Sequence, residues 1–173
     1  HWLKGVDNGI MDEPPIRCFI APTGEWKNLN DWPPPEARWT TFYLHKDGVL
    51  SEHELWPAEG SDSFDESNFE HGAVTYATPL LVENTEVLGP SVLTLYVSVT
   101  DTDALLFVTL LLIDRDGQEH ELTRGWLRAS QRRLREDSTP WEPVQAHESR
   151  EQLEPGKIYE LKIPIVATAR LFQ

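Results

Sequence analysis

Cysteine is almost missing from this chain. Cys18 stands alone among 173 residues, so no intrachain disulfide can form. That suits a reducing compartment, and a cytoplasmic location is expected. Lysine is scarce as well, with five residues beside ten arginines, against 29 aspartates and glutamates and a net charge of −14. A field of that sign opposes nonspecific attraction to nucleic acid and to anionic lipid, so neither nucleic acid nor membrane is expected as a partner. Long apolar runs are lacking too. The longest, residues 104–113, falls far short of the ~20 residues a membrane helix requires. No signal-peptide pattern is visible. The chain opens on His1, and its only methionine is Met11, so it reads as a piece of something longer.

The signatures of chemistry are equally sparse. A nucleophile elbow needs G-x-S-x-G, because glycines must flank a serine on a strained strand-to-helix turn. Ser91 in GPSVL and Ser61 in EGSDS lack the second glycine. Cys18 sits in a strand signal and reads as a small core residue rather than a nucleophile. His45, His53 and His120 fall in or beside hairpin strands, and His71 and His147 in loops. No H-x-x-x-H or C-x-x-C spacing joins them into a zinc site. Asp101, Asp103, Asp114 and Asp116 end two strand signals and are candidates for calcium. No EF-hand spacing accompanies them, and turn-forming hydrogen bonds are the simpler reading. No catalytic residue, cofactor or metal is assigned to this chain.

What the sequence does contain is short strands. IRCFIAP ends at Pro22. RWTTFYLHKDGVLSEHEL reads as two strands across Asp47-Gly48, a dipeptide that favours tight hairpins. Residues 51–71 carry Glu52, Glu54, Glu59, Asp62, Asp65, Glu66 and Glu70 with no lysine or arginine, the pattern of a solvated loop. In residues 91–99, Leu93, Leu95, Val97 and Val99 alternate with Thr94, Tyr96 and Ser98, the period of a half-buried strand. Residues 104–113 are apolar on both faces and predict a central strand between two layers. They turn at Asp116-Gly117 into QEHELTRGWLRAS, and YELKIPI alternates again before an apolar tail over residues 166–172. Thirteen prolines lie mostly between these segments. Many short strands with almost no helical period predict an all-β antiparallel sandwich.

Two residue types stand out. Five of the ten arginines fall in residues 124–135. If residues 122–130 form a strand, Arg124, Trp126, Arg128 and Ser130 share one face, and Gly125, Leu127 and Ala129 the other. The small and apolar face suits a core. The arginine–tryptophan face suits bidentate pairs with carboxylates, from residues 51–71 or from a neighbouring domain. Past Gln131 the polar run reads as a loop. The seven tryptophans, among them Trp26, Trp32, Trp39, Trp56, Trp126 and Trp141, suit core or interdomain packing. An autonomous carbohydrate-binding module, with tryptophans as stacking platforms, is the alternative.

Read together, HWLKGVDNGIMDEPPIRCFIAPTGEWKNLNDWPPP, FYLHKDGVLSE, VTYATPLLVENTEVLGP, VSVTDTDALLFVTLLLIDRDGQEHELTRGWLRASQR and LEPGKIYELKIPIVATARLF follow an order. That order resembles the C-terminal, non-catalytic domain of the X-Pro dipeptidyl-peptidase and cocaine esterase family of serine α/β-hydrolases. The resemblance spans essentially the whole chain. It implies a jelly-roll sandwich of the galactose-binding-like type over residues 16–173. Residues 1–15 would then be the end of a hydrolase-domain helix, HWLKG, and its linker. It also implies an α/β-hydrolase catalytic domain of the same parent chain as partner, with a Ser-Asp-His triad that this chain lacks. The sandwich would pack on that domain and help wall its substrate pocket. The family's catalytic histidine lies upstream of the HWLKG helix, so His1 does not inherit its role. Two departures are visible. Residues 55–76 are shorter than in many members, and the chain stops at LFQ, where members turn into a further strand. An open slot in the sheet, and self-association through it, are therefore expected.

Overall fold

The computed structural model describes residues 4–57, 60–65 and 72–173. The strands are β1 (Ile16–Ile20), β2 (Glu25–Leu29), β3 (Tyr43–His45), β4 (Val49–Ser51), β5 (Thr85–Val97), β6 (Leu105–Ile113), β7 (Glu119–Arg128) and β8 (Tyr159–Phe172). Among the described residues the only helical pieces are three-residue 3-10 turns, so the all-β expectation holds. Most of the helix end read at HWLKG lies outside the described residues, although Gly5 takes the φ of 63° that a helix-stopping glycine adopts. Two compact units emerge, His1–Pro35 with Val87–Arg170, and Glu36–Glu86 with Leu171–Gln173.

The first unit holds the larger sheet, ordered β5-β8-β7-β6, and the antiparallel ribbon β1-β2. Alternation decides which side of the sheet is dry. Leu93, Leu95, Val97 and Leu106 pack against a core of Leu127, Ala129, Leu153, Leu161 and Ile163. Gly125 lies on the same face, where β7 meets β8 opposite Ile165. A Cβ at Gly125 would stand 2.2 Å from the carbonyl oxygen of Pro164, so the approach of the two strands requires glycine. The turn between β6 and β7 is fixed by Asp114, whose Oδ1 accepts from the backbone N–H of Asp116 and of Gln118 at 2.9 and 2.8 Å.

Three expectations need correction. β6 is the end strand of its sheet rather than a central one. Leu106, Val108, Leu110 and Leu112 face inward, but Leu105, Phe107 and Ile113 are exposed, so its second apolar face has no layer over it among the described residues. Ser130 does not share the arginine–tryptophan face. β7 ends at Arg128, and a 3-10 turn over Ala129–Gln131 rotates Ser130 into a buried position. The apolar tail after Ile165 is not beside an empty slot in the sheet order: β8 runs on to Phe172 with β5 and β7 as its neighbours, and Ala21 bridges to Arg170.

In the second unit β3 and β4 pair antiparallel across Asp47 and Gly48, both in the left-handed region at φ 67° and 77°. That is the conformation for which Asp-Gly is favoured. Ala77 adds an extended segment: its N–H donates to Gly48 O at 2.8 Å, and its carbonyl accepts from Leu50 N at 2.9 Å. His45 is buried, with Nε2 2.8 Å from the His53 carbonyl oxygen, and its ring stacks on Trp56 at 4.9 Å. The acidic stretch is exposed at Glu52, Glu54, Asp62 and Asp65, while Glu59, Glu66 and Glu70 lie outside the described residues. Tyr76 donates to Asp62 Oδ2 at 2.8 Å. Burial, and then the neighbouring carboxylate, push its phenol up to about 12.

Candidate functional site

The arginine cluster is neutralised from within. Arg124 donates through Nε to Glu121 Oε1 at 2.8 Å, and Arg128 through Nε to Asp103 Oδ2 at 2.7 Å. Arg132 lies 3.3 Å from Glu151, with its guanidinium 4.7 Å from the centroid of the Tyr159 ring. Arg133 reaches Glu148 at 3.7 Å. Arg135 makes a two-pronged pair with Asp137, Nε to Oδ1 at 2.9 Å and Nη2 to Oδ2 at 2.6 Å. Every arginine of residues 124–135 thus has a carboxylate of its own domain. The partner of Arg128 is neither of the two expected sources, the acidic stretch 51–71 or a neighbouring domain, but Asp103 at the entry to β6.

Asp103 is the most connected of these carboxylates. Beside Arg128, its Oδ1 accepts from Ala104 N at 3.0 Å and Ser130 N at 2.9 Å, and its Oδ2 from Ser130 Oγ at 2.8 Å. Partial burial opposes its charge. Arg128, Ser130 and Ala104 outweigh that and hold the carboxyl at about 2, below its usual 3.8. The group joins the loop before β6 to the turn after β7, which is scaffolding chemistry.

Asp103 and Asp114 bracket the nine residues of β6 from opposite ends, which separates them by roughly 30 Å at strand rise. The four aspartates considered for calcium therefore do not converge. Asp101 accepts from Thr102 N at 2.6 Å, and Asp114 Oδ2 lies 2.7 Å from His120 Nε2. Cys18 is half-buried in β1. Among the described residues no three His, Cys, Asp or Glu side chains gather as a metal site would require.

The open side of the sheet carries a cleft of about 500 Å³, walled by Trp32, Pro33, Leu105, Trp126, Trp141 and Pro164, with Arg128, Gln145 and His147 among its polar groups. Ser91 lines it as well. A nucleophile and base must share a hydrogen bond, yet the Nδ1 of His147 lies 3.3 Å from Gln131 Oε1 instead. The cleft offers apolar surface with a few polar groups along its wall. Sequence reasoning placed Trp126 and Arg128 on one face but did not foresee that Trp32 and Trp141, far apart in the chain, meet there. Core packing does not describe Trp26, Trp39 or Trp126, each more than half exposed.

Residues 8–173 match the family of X-Pro dipeptidyl-peptidase C-terminal non-catalytic domains. A Mycobacterium bovis protein with a provisional serine esterase name is 29% identical over 100% of this chain and 32% of its own length. The cocaine esterase of a Rhodococcus species is 23% identical over 98% of this chain and 34% of its own. The crystal structure of a CocE/NonD family hydrolase from Staphylococcus aureus superposes with a TM-score of 0.84 at 25% identity, over 99% of this chain and 34% of that one. The chain spans about a third of the length of these relatives. With the match running from Asn8 to the last residue, the chain belongs to the X-Pro dipeptidyl-peptidase C-terminal non-catalytic domain family.

Proposed function

We propose that this chain is the C-terminal accessory domain of a serine hydrolase, an acyl esterase or X-Pro dipeptidyl-peptidase-like enzyme. In this reading it packs on the α/β-hydrolase domain of the same parent chain and helps shape that domain's substrate pocket. Residues 16–173 form the accessory domain, of jelly-roll, galactose-binding-like type, and residues 1–15 are the end of the preceding helix and its linker. A cytoplasmic location, inferred from the single cysteine, belongs to the same reading.

The observation that carries it is the uncovered face of the larger sheet. Leu105, Phe107 and Trp126 are all more than half exposed on adjacent strands, and large contiguous apolar surface is the mark of a contact region. The relatives supply about twice this chain's length again as material to cover it. A domain docked there would act by holding pocket groups in place. It would bring no nucleophile of its own.

Turnover of p-nitrophenyl acetate and of an X-Pro anilide, by the 173-residue chain and by its full-length parent, tests the assignment. The parent is expected to turn over one of them, and the short chain neither. Turnover by the short chain that one serine substitution abolishes would overturn the reading. Glycan binding lost on Trp126→Ala would favour the carbohydrate-binding module instead.

A further inference from the structure

We propose that Asn8-Gly9 is a self-modifying site. Asn8 loses ammonia through a cyclic imide and becomes aspartate or isoaspartate, with Asp7 as the proton acceptor. Asparagine also occurs at Asn28, Asn30, Asn68 and Asn84, and only Asn8 precedes a glycine. That neighbour decides the chemistry. The ring closes when the backbone nitrogen of the following residue reaches the side-chain carbonyl carbon, and a side chain on that residue obstructs the approach. Gly9 has no side chain, lies in the left-handed region at φ 73°, and has nothing within 4 Å of where a Cβ would stand. Asp7 and Asn8 are exposed, so water reaches the site for the second step.

The groups that the reaction needs are already in contact. Asp7 Oδ1 accepts the Gly9 N–H at 3.2 Å, so a carboxylate base lies on the proton that the attacking nitrogen must lose. Asn8 Oδ1 accepts the Ile10 N–H at 3.3 Å, so a donor lies on the oxygen that gathers charge as its carbon is attacked. The Gly9 nitrogen bonds to Asn8 Cγ and its proton passes to Asp7. The Asn8 amide nitrogen takes a proton back and leaves as ammonia. Water then opens the imide at either carbonyl. One opening gives aspartate. The other gives isoaspartate, whose main chain runs through Cβ and Cγ and is longer by a methylene. Either product adds a negative charge to a segment that already carries Asp7 and Asp12. At Asp116-Gly117 the corresponding N–H is held otherwise: Gly117 donates to the Asp114 carbonyl oxygen at 3.0 Å, an acceptor that is no base. The chemistry draws only on residues 7–10 and stands independently of the docking reading.

Tryptic mapping of the 173-residue chain, held in warm and mildly alkaline buffer, tests this. The peptide over residues 5–17 should gain the mass of hydroxyl over amino and split into two chromatographic forms. The peptides holding the other four asparagines should stay unchanged over the same time. Hydroxylamine, which opens the imide, should cut the chain between Asn8 and Gly9. Asp7→Ala, at an exposed position, should leave the circular dichroism unaltered and slow the conversion by about tenfold. Urea should slow it as well, because it disperses the two contacts while the sequence stays the same. An Asn8 that remains intact would overturn the proposal. So would equal rates with and without the Asp7 carboxylate, or equal rates in the folded and denatured chain.

Discussion

On one side of the β5-β8-β7-β6 sheet Leu161 and Ile163 are sealed from solvent at 0% exposure, with Leu127 and Ala129 beside them. One residue along on β7, and across on β6, Trp126 and Phe107 are 58% and 76% exposed. Both faces carry large apolar side chains, the second together with the ion-paired Arg124 and Arg128, and the two differ in their cover. Leu153, from outside the sheet, is buried against the first beside Leu93, Leu95 and Val97 of β5, while Trp32 and Trp141 wall only a cleft on the second and leave Trp126 and Phe107 exposed. Apolar content in a strand therefore reports that a surface is meant to be covered, without saying that the same chain covers it.

Substitutions on the two faces should separate sharply. Gly125→Ala should have the largest effect, because its Cβ would collide with backbone at 2.2 Å. A loss of ~3 kcal/mol or more, read by thermal or urea denaturation, is expected. An unchanged midpoint would mean that β7 and β8 are not so close. Next come Leu161→Ala and Ile163→Ala, at about 2–5 kcal/mol each for a fully buried aliphatic. Phe107→Ala and Trp126→Ala, one face over, should each cost the isolated chain less than ~1 kcal/mol. Equal losses on the two faces would erase the distinction.

Smaller effects probe the polar seam between the faces. Asp103 titrates at about 2 in the folded chain and near 3.8 when unfolded. A depressed folded value means that its contribution is complete above pH ~4 and is lost as pH falls towards about 2. With 26% of the Asp103 side chain and 43% of Arg128 exposed, that contribution is ~1–2 kcal/mol after solvent screening. Asp103→Asn should flatten the acid limb of the stability–pH curve, and a limb of unchanged slope would refute the assignment. Arg128→Ala should cost about 1 kcal/mol, since Ser130 and Ala104 still hold the carboxylate. Smallest of all, Arg124→Ala removes an exposed i,i+3 pair with Glu121 and should shift stability by less than ~0.5 kcal/mol.

Where the sequence was legible, a local rule governed. Alternation found β8 and the second half of β5, and an unbroken apolar run found β6. Asp47-Gly48 marked the turn between β3 and β4 and Asp116-Gly117 that between β6 and β7, and Gly125, Leu127 and Ala129 were rightly placed inside. β2 was missed because EWKNL alternates weakly and only its pairing with β1, Cys18 opposite Lys27, makes it a strand. The partner of Arg128 was missed because Asp103 lies 25 positions away, and no local pattern encodes that meeting. The position of β6 was misread because its composition suits burial on both faces, while strand order is a property of the whole sheet. The cleft escaped for the same reason, as Trp32, Trp126 and Trp141 come from distant segments.

The central claim is that the open face is a docking surface for the remainder of a hydrolase chain, and solvent access to Trp126 in two contexts tests it most directly. Hydroxyl-radical footprinting of the 173-residue chain and of its full-length parent should label Trp126 heavily in the first and several-fold less in the second. Exposed Trp26, on β2, serves as an internal reference. Equal labelling of Trp126 in both would contradict the account.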